Sequence, residues 1–241
     1  MDTLNILGVN VSNLTMEQAK ENAIKFLDGD SLSAVYTPNS EIILYASNNE
    51  EYSQVLNRAS MIIPDGIGVV YASKILGNPL KERVAGIDFI TAVLPELVKR
   101  GKSVYLLGAK PGVAEIAAEK LKEKYEGLII AGTHDGYFKD DEEVIASINE
   151  ASPDFLMVCL GFPKQELWID KYKDRLNVKL AIGAGGSMDV FAGTALRAPE
   201  FYQKHGVEWL YRLIKQPTRF MRMMALPKFG LKVLFKGKRY R

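Results

Sequence analysis

The sequence predicts an α/β protein in which helices flank a parallel sheet and a helical, basic C-terminal segment follows. Two patterns predict the sheet: short apolar runs rich in β-branched residues, and longer amphipathic segments between them. Strands and helices that alternate in this way form a parallel, Rossmann-like sheet. The predicted strands cover residues 33–36, 61–63, 104–107, 128–131, 155–160 and 179–182.

The amphipathic segments have the apolar spacing of helices that pack on a sheet. The first segment starts with Thr15 and Gln18, which stand at the spacing of a capping box. The predicted helices cover residues 15–27, 87–100, 112–125, 141–150 and 164–175. The alternation stops at Arg197-Ala198-Pro199, so we expect an α/β domain in residues 1–196 and a C-terminal appendage in residues 197–241.

The last thirty residues contain ten Lys or Arg and no Asp or Glu, whereas the preceding 211 hold the other 21 basic and all 29 acidic side chains. No apolar run approaches the roughly 18 residues that span a bilayer. Apolar residues between the charges favour an anionic membrane surface over a solvated helix with a loose basic end, and disfavour nucleic acid. They are Trp209, Leu210, Leu213, Ile214, Phe220, Met221, Met223, Met224, Leu226, Phe229, Leu231, Val233, Leu234 and Phe235.

The composition, with 47% hydrophobic and 25% charged residues, is that of a globular protein. The first residues lack the basic and apolar regions of a secretory signal, so we expect a cytoplasmic location. The single cysteine, Cys159, stands in an apolar strand and is expected in the core. Two histidines and one cysteine without zinc-site spacing argue against a zinc site.

Polar or glycine-rich loops follow each predicted strand. Ligands of parallel sheets bind beyond the carboxyl ends of the strands, where such loops meet. Turn chemistry alone explains any one of these loops, but six at one edge indicate a binding site. The loops cover residues 37–39, 64–66, 108–109, 132–136, 161–166 and 183–187.

Nine short motifs recur along the chain, in these loops, between them and in the appendage. They are TPNSE at 37–41, PDGIG at 64–68, ERVAG at 82–86, LLG at 106–108, GTHDGYF at 132–138, PKQE at 163–166, GGSMD at 185–189, RAP at 197–199 and EWLYR at 208–212. These motifs resemble those of the WecG/TagA/CpsF glycosyltransferases, a bacterial family that adds the second sugar to undecaprenyl-diphosphate-linked acceptors. Two residues depart from the family pattern, Phe162 in place of a small residue and Met188 in place of Phe, and both are expected to reshape the donor pocket.

The resemblance implies an inverting transfer of a sugar from a UDP-sugar donor to a polyprenyl-diphosphate-linked acceptor. The expected sugar is N-acetylmannosamine, moved to GlcNAc-diphosphate-undecaprenol for the linkage unit of teichoic acid. The alternatives are N-acetylmannosaminuronic acid or another hexose for a surface polysaccharide, or a non-catalytic nucleotide-sugar-binding membrane module. We expect a peripheral protein on the inner face of the bacterial membrane. The sequence is compatible with a monomer or a homo-oligomer.

Within this resemblance Asp65 is the expected base on the acceptor hydroxyl. The alternative is that Asp65 caps a helix over residues 67–76. Arg83 is expected to take charge of the leaving diphosphate together with helix N-termini, and its alternative is a surface charge. We expect catalysis without a metal or another cofactor.

Three polar residues are expected to contact the substrates, with capping or turn roles as alternatives: Thr37, Asn39 and Gln165. Gly108, Gly185 and Gly186 are expected to let backbone approach uridine and its phosphates, although loop geometry alone also explains them. They lack the dinucleotide-binding pattern, so an NAD-dependent enzyme is disfavoured, and His134 is expected to be structural.

Basic residues of the appendage recur at helical spacing, although Pro217 is expected to start a new helix within the series. We expect one or more of Arg212, Arg219 and Arg222 to meet the acceptor diphosphate. Attraction to lipid headgroups without a catalytic role is the alternative.

Overall fold

The computed structural model describes residues 1–215 and 220–237. Its eight strands are β1 Thr3–Ile6, β2 Val9–Ser12, β3 Ser33–Tyr36, β4 Met61–Ile62, β5 Ser103–Gly108, β6 Ile129–His134, β7 Phe155–Cys159 and β8 Leu180–Gly183. The helices described are α1 Met16–Leu27, α2 Ser40–Ala46, α3 Glu50–Asn57, α4 Ile67–Ile75, α5 Gly86–Arg100, α6 Val113–Lys124, α7 Asp141–Ala151, α8 Lys164–Tyr172, α9 Ser187–Phe191, α10 Glu200–Lys204, α11 Glu208–Lys215, α12 Phe220–Met223 and α13 Ala225–Lys236.

Six strands form one parallel sheet in the order β4-β3-β8-β7-β5-β6. The predicted fold class and each predicted strand are therefore confirmed, with ends that differ by at most three residues. The order places β3, β8, β7 and β5 in the interior, where both faces of each strand are covered and side chains such as Val35, Ile182 and Met157 are fully buried. The carboxyl ends of all six strands lie at one edge.

Helices cover both faces of this sheet. On one face α1, α5, α6 and α9 pack against alternate strand residues, among them Val35, Leu106 and Met157. On the other face α2, α3, α4, α7, α8 and α13 pack against the intervening residues, among them Tyr36 and Leu156. The period of two along each strand thus divides the apolar residues between two cores.

The antiparallel hairpin β1–β2 was not predicted. It turns at Leu7 and Gly8, both with positive φ, and Gly8 N donates to Asn5 Oδ1 at 2.9 Å. The hairpin lies beside the short edge strand β4, where Ile62 N donates to Ser12 Oγ at 3.2 Å. It therefore covers an edge that would otherwise expose unpaired backbone groups.

Helix starts follow the predicted capping chemistry. Thr15 Oγ1 accepts from Gln18 N, and Gln18 Oε1 accepts from Thr15 N, which confirms the capping box of α1. Asn39 caps α2 with its side-chain oxygen. By contrast, the cap of α4 is Gly66, so the alternative that Asp65 caps this helix is wrong.

The C-terminal helix α13 packs on α2 and α4. Phe229 and Val233, four residues apart on one helix face, are only 2% and 1% exposed and belong to the main core. The prediction that these two residues face a membrane surface is wrong, because the body of the protein already covers them. The opposite face of α13 exposes Leu231, Leu234 and Phe235. Within the part of the chain that the structure describes, no helix is long and apolar enough to cross a bilayer.

Candidate active site

Asp65 lies just after β4, half-buried, at the shared carboxyl edge of the sheet. Its Oδ2 accepts a long hydrogen bond of 3.4 Å from the backbone N of Gly86, the first residue of α5. The amino end of a helix carries partial positive charge and favours a carboxylate. Asp65 thus faces the start of α5, a helix of fifteen residues.

Thr37 joins the ends of β3 and β8 to the same helix start. Its Oγ1 donates to the carbonyl oxygen of Gly183 at 3.1 Å. A Cβ at Gly86 would lie 3.3 Å from Thr37 Oγ1, so glycine lets the start of α5 approach this side chain. The structure therefore brings Thr37 and Asp65 together around the backbone of Gly86.

Asn39 has its oxygen engaged by the backbone. Its Oδ1 accepts from Glu41 N at 2.9 Å and from Ile42 N at 3.1 Å, which confirms the capping alternative for this atom. Gly66 lies next to it, because a Cβ there would be 3.5 Å from Asn39 Cβ. Contact of the Asn39 amide nitrogen with substrate stays a prediction.

Gln165 lies below the glycine loop that follows β8. It is 2% exposed, its Oε1 accepts from Gly185 N at 3.0 Å, and its Nε2 donates to Glu166 Oε1 at 2.7 Å. A Cβ added to Gly185 or Gly186 would meet nothing within 4 Å, so both α-carbons border open space. Both ends of the Gln165 amide have protein partners, and its contact with sugar hydroxyls stays a prediction.

Gly108 serves the packing of neighbouring strand ends. It has a φ of 124°, and an added Cβ would collide with the backbone of Cys159. Beyond it, Ala109 N donates to Cys159 O at 3.0 Å and Gly136 N donates to Ala109 O at 2.9 Å. The ends of β5, β6 and β7 thus meet, and the loop-geometry alternative accounts for Gly108.

Other residues named from the sequence have structural partners. His134 Nδ1 lies 2.8 Å from the carbonyl oxygen of Asp135, as expected of a structural histidine. Cys159 is buried as predicted, and burial raises the pKa of its thiol to about 12. Phe162 packs edge-on against Tyr45 and Tyr52, with ring centroids 5.0 and 5.6 Å apart. Met188 is fully buried in the core, so its influence on a donor pocket would be indirect.

Arg83 is paired across 125 residues of chain. Its Nη2 donates to Glu208 Oε2 of α11 at 2.6 Å, and the two side chains are only 20% and 15% exposed. The surface-charge alternative for Arg83 is therefore wrong. Val84 N donates to Pro64 O at 3.1 Å, which fixes the Arg83 loop beside the Asp65 loop. The buried Arg83 Nε has no hydrogen-bond acceptor among the described residues.

Arg222 forms a second ion pair between the C-terminal segment and a strand-end motif. Its Nε and Nη2 donate to the two carboxylate oxygens of Glu41 at 2.9 and 3.0 Å, in the forked geometry that guanidinium groups favour. Arg219 and the side chain of Arg212 lie outside the part of the chain that the structure describes. The predicted alignment of the basic residues on one helical face is therefore untested.

The sequence motifs contain three acidic residues to which no role was assigned, Glu41, Glu166 and Glu208. Glu166 is 1% exposed, and burial raises the pKa of its carboxyl to about 7. The sequence shows Glu166 in the PKQE motif but does not indicate that it is buried. Tyr52 of α3, more than 100 residues earlier, lies against its carboxyl. Within the described ranges, no three His, Cys, Asp or Glu side chains are arranged to hold a metal ion.

An open cavity of about 570 Å³ lies between α5, α6 and α9, and its lining includes Thr91, Lys120, Phe191 and Arg197. None of the residues given a catalytic or substrate-binding role from the sequence lines it, although Arg197 of the RAP motif does. The hydrogen bonds and close contacts at the strand ends, rather than cavity size, therefore locate the candidate site.

Comparison with known proteins finds similarity over most of the chain. The family model described as glycosyl transferase WecG/TagA/CpsF family matches residues 4–241. A protein of Bacillus spizizenii (strain ATCC 23059 / NRRL B-14472 / W23) is 42% identical over 209 residues, which cover 87% of this chain and 81% of the relative. A protein of Staphylococcus aureus (strain MRSA252) is 37% identical over 232 residues, covering 95% and 91%. A protein of Bacillus subtilis (strain 168) is 39% identical over 209 residues, covering 87% and 82%. All three are named N-acetylglucosaminyldiphosphoundecaprenol N-acetyl-beta-D-mannosaminyltransferase.

Proposed function

Because the chain belongs to the WecG/TagA/CpsF family of glycosyltransferases, we propose that it transfers N-acetylmannosamine from UDP-N-acetylmannosamine to GlcNAc-diphosphate-undecaprenol. The product is the disaccharide of the teichoic acid linkage unit. The names of the relatives support N-acetylmannosamine over the uronic acid and over a non-catalytic module.

The observation that carries the proposal is the position of the Asp65 carboxylate at the amino end of α5, with Thr37 beside the same backbone. Asp65 acts as the base that removes the proton from the acceptor hydroxyl. The acceptor oxygen then forms a bond to the anomeric carbon as the bond from that carbon to the UDP oxygen breaks on the opposite face. The configuration inverts, the proton stays on Asp65, and UDP leaves with the bonding electron pair.

The charge that develops on the departing UDP requires preorganised donors. Arg83 supplies a guanidinium fixed at the same edge by its loop and by Glu208. Gly185 and Gly186 border open space, which suits the approach of backbone to phosphate oxygens. The loops at the same edge also contain Asn39, Gln165 and Gly108. The reaction proceeds without a metal.

The C-terminal segment, residues 197–241, presents the lipid-linked acceptor. Exposed apolar side chains on α12 and α13, among them Met221, Leu234 and Phe235, enter an anionic membrane surface while nearby basic residues face the headgroups. The inner face of α13 remains packed on the body through Phe229. The protein thus works as a peripheral protein on the inner face of the bacterial membrane, and one or more of Arg212, Arg219 and Arg222 meet the acceptor diphosphate in this proposal.

This function is tested by incubating the protein with a panel of UDP-sugars and a synthetic GlcNAc-diphosphate lipid in EDTA, and by measuring the release of UDP. We expect UDP release that depends on both UDP-N-acetylmannosamine and the lipid, and that persists in EDTA. Release with UDP-N-acetylmannosaminuronic acid instead would contradict the proposed sugar, and dependence on added Mg²⁺ would contradict only the metal-free step. No release with any donor would contradict the enzyme assignment.

A further inference from the structure

Glu166 is a buried carboxyl directly beneath the candidate site that the proposed reaction does not use. It stands in the first turn of α8 and is 1% exposed. Its Oε1 accepts from Gln165 Nε2 at 2.7 Å, and its own backbone carbonyl accepts from the Tyr36 hydroxyl at 3.2 Å. Among the described residues, its second oxygen, Oε2, has no hydrogen-bond donor with ordinary geometry.

This hydrogen bond determines which way the Gln165 amide points. One end of the amide must donate and the other must accept. Glu166 Oε1 is an acceptor at one end, and the Gly185 N–H is a donor at the other, 3.0 Å from Gln165 Oε1. A flipped amide would place oxygen against oxygen and NH2 against N–H. Glu166 therefore keeps the Gln165 oxygen directed at the glycine loop.

The backbone of Gly183 encloses the same hydrogen bond from above. A Cβ at Gly183 would lie 2.9 Å from Gln165 Nε2 and 3.2 Å from Glu166 Oε1, so only a glycine leaves room for the pair. The carbonyl of Gly183 accepts from Thr37 Oγ1 at 3.1 Å. A continuous set of contacts thus runs from Glu166 through Gln165 to the loop at Gly183–Gly185 and to Thr37.

Packing alone does not account for a carboxyl in this position. A buried carboxyl is costly, and an apolar residue of similar volume would avoid that cost. Tyr52 lies against the same carboxyl, but its hydroxyl also lacks a hydrogen bond of ordinary geometry within the described ranges. The Gln165 amide is the side chain that this carboxyl fixes.

We propose that Glu166 is a positioning residue for the donor site: it orients the Gln165 amide, which accepts from the Gly185 N–H and so fixes the glycine loop that borders the UDP-sugar. This rests on the proposed function, in particular on the glycine loop's contact with the donor. Glu166 itself is sealed from the substrates and acts through Gln165.

Two substitutions separate the hydrogen-bond acceptor from the charge. Glu166→Gln keeps an oxygen at the same reach and removes the charge, whereas Glu166→Asp keeps the charge and withdraws the oxygen by one methylene. We expect Glu166→Asp to raise the donor KM by about tenfold, since small misplacements of binding groups weaken catalysis strongly. Glu166→Gln should keep a donor KM within about twofold of the unchanged protein. A normal donor KM in folded Glu166→Asp, or an equal rise in both variants, would overturn the proposal.

A reversed pair provides a test that does not depend on the folding of Glu166→Asp. Gln165→Glu alone places two carboxyls together, whereas Gln165→Glu combined with Glu166→Gln restores one donor and one acceptor with the acceptor still facing Gly185. We expect the double variant to have a lower donor KM and a higher Tm than Gln165→Glu. A purely structural contact predicts that the double variant restores Tm but keeps the donor KM as high as in Gln165→Glu. That result would overturn the positioning role.

Two controls separate this inference from the proposed site. Gln165→Ala should raise the donor KM, whereas Tyr52→Phe, which removes the other polar group beside Glu166, should leave it unchanged. If Gln165→Ala binds the donor normally, the assignment of the donor site to this edge is wrong, and the inference about Glu166 is wrong as well. If Gln165→Ala is impaired and Glu166→Asp is not, only the inference fails.

Discussion

Arg83 donates a hydrogen bond of 2.6 Å to Glu208, so a residue of the ERVAG motif is held by the first residue of α11. The pair is mostly shielded from solvent. Arg222 of α12 forms the second such pair, with Glu41 of α2. Both ion pairs link motifs of the α/β body to the C-terminal segment, which couples the segment proposed to face the lipid to the residues assigned to chemistry.

Removal of Glu208 should weaken catalysis through Arg83. Glu208→Ala leaves the guanidinium without its partner and free to change rotamer, so we expect kcat/KM to fall by about tenfold. Arg83→Ala should cost more, and the double variant should be no worse than Arg83→Ala, because residues in contact are not additive. Steady-state UDP release measures all three. Glu142→Ala, which removes an exposed ion pair with Arg175, is the control and should have no effect. Additive losses would show that Glu208 and Arg83 act separately.

A charge exchange separates the two roles of Arg222. Arg222→Glu places two carboxylates together and should lower Tm, and Glu41→Arg in the same chain should restore Tm by recreating the pair with reversed polarity. If Arg222 also meets the acceptor diphosphate, turnover of the lipid acceptor should stay at least about tenfold low in the exchanged protein. Thermal unfolding and UDP release on one preparation give both results. Full recovery of turnover would leave Arg222 with a structural role only.

The two faces of α13 should respond oppositely to substitution. Phe229 is buried and Phe235 is 80% exposed, so Phe229→Ala should lower the free energy of unfolding by about 3 kcal/mol while Phe235→Ala should barely change it. Phe235→Ala should instead reduce binding to vesicles that contain anionic lipid, and Phe229→Ala, assayed below its Tm, should not. Denaturant unfolding and vesicle sedimentation measure the two effects. Ile129→Ala, at an exposed residue of β6, is the matched control for vesicle binding.

The buried carboxyl of Glu166 should make stability depend on pH. Its pKa is about 7 in the folded protein against an ordinary value of 4.5, so folding retains the proton between these values. Its contribution is fully present below pH 4.5 and is lost as pH rises through 7. Relative to Glu166→Gln, the unchanged protein should therefore lose about 2 to 3 kcal/mol of stability between pH 5 and pH 8. Denaturant unfolding at both pH values measures the difference, and parallel curves would contradict the buried, proton-retaining carboxyl.

Local patterns were sufficient to predict the sheet and the residues that meet at its carboxyl edge. The strands are short β-branched runs whose ends differ from the predicted ends by at most three residues, and Thr15 with Gln18 identified the start of α1. Loop composition then placed Thr37 and Asp65 at one edge, where the structure brings both against Gly86. These features depend on residues close in sequence or on the rule that parallel strands end at a common edge.

Contacts between distant segments were not predictable in the same way. Arg83 and Glu208 are 125 residues apart, and neither motif alone indicates the other as its partner. Phe229 resembled a membrane-facing residue because an amphipathic helix has the same pattern whether its apolar face meets a bilayer or a protein core. The β1–β2 hairpin was missed because its four-residue strands depend on the β4 edge for support.

The substitution Asp65→Asn tests the central claim most directly. The change keeps the size of the side chain and removes its capacity to accept a proton from the acceptor hydroxyl. Asp174→Asn, at an exposed residue that follows α8, is the matched control. We expect Asp65→Asn to bind UDP as the unchanged protein does and to lose transfer by about a thousandfold, as loss of a general base implies. Transfer within about twofold of the unchanged protein at saturating donor and acceptor would contradict the assignment of Asp65 as the catalytic base.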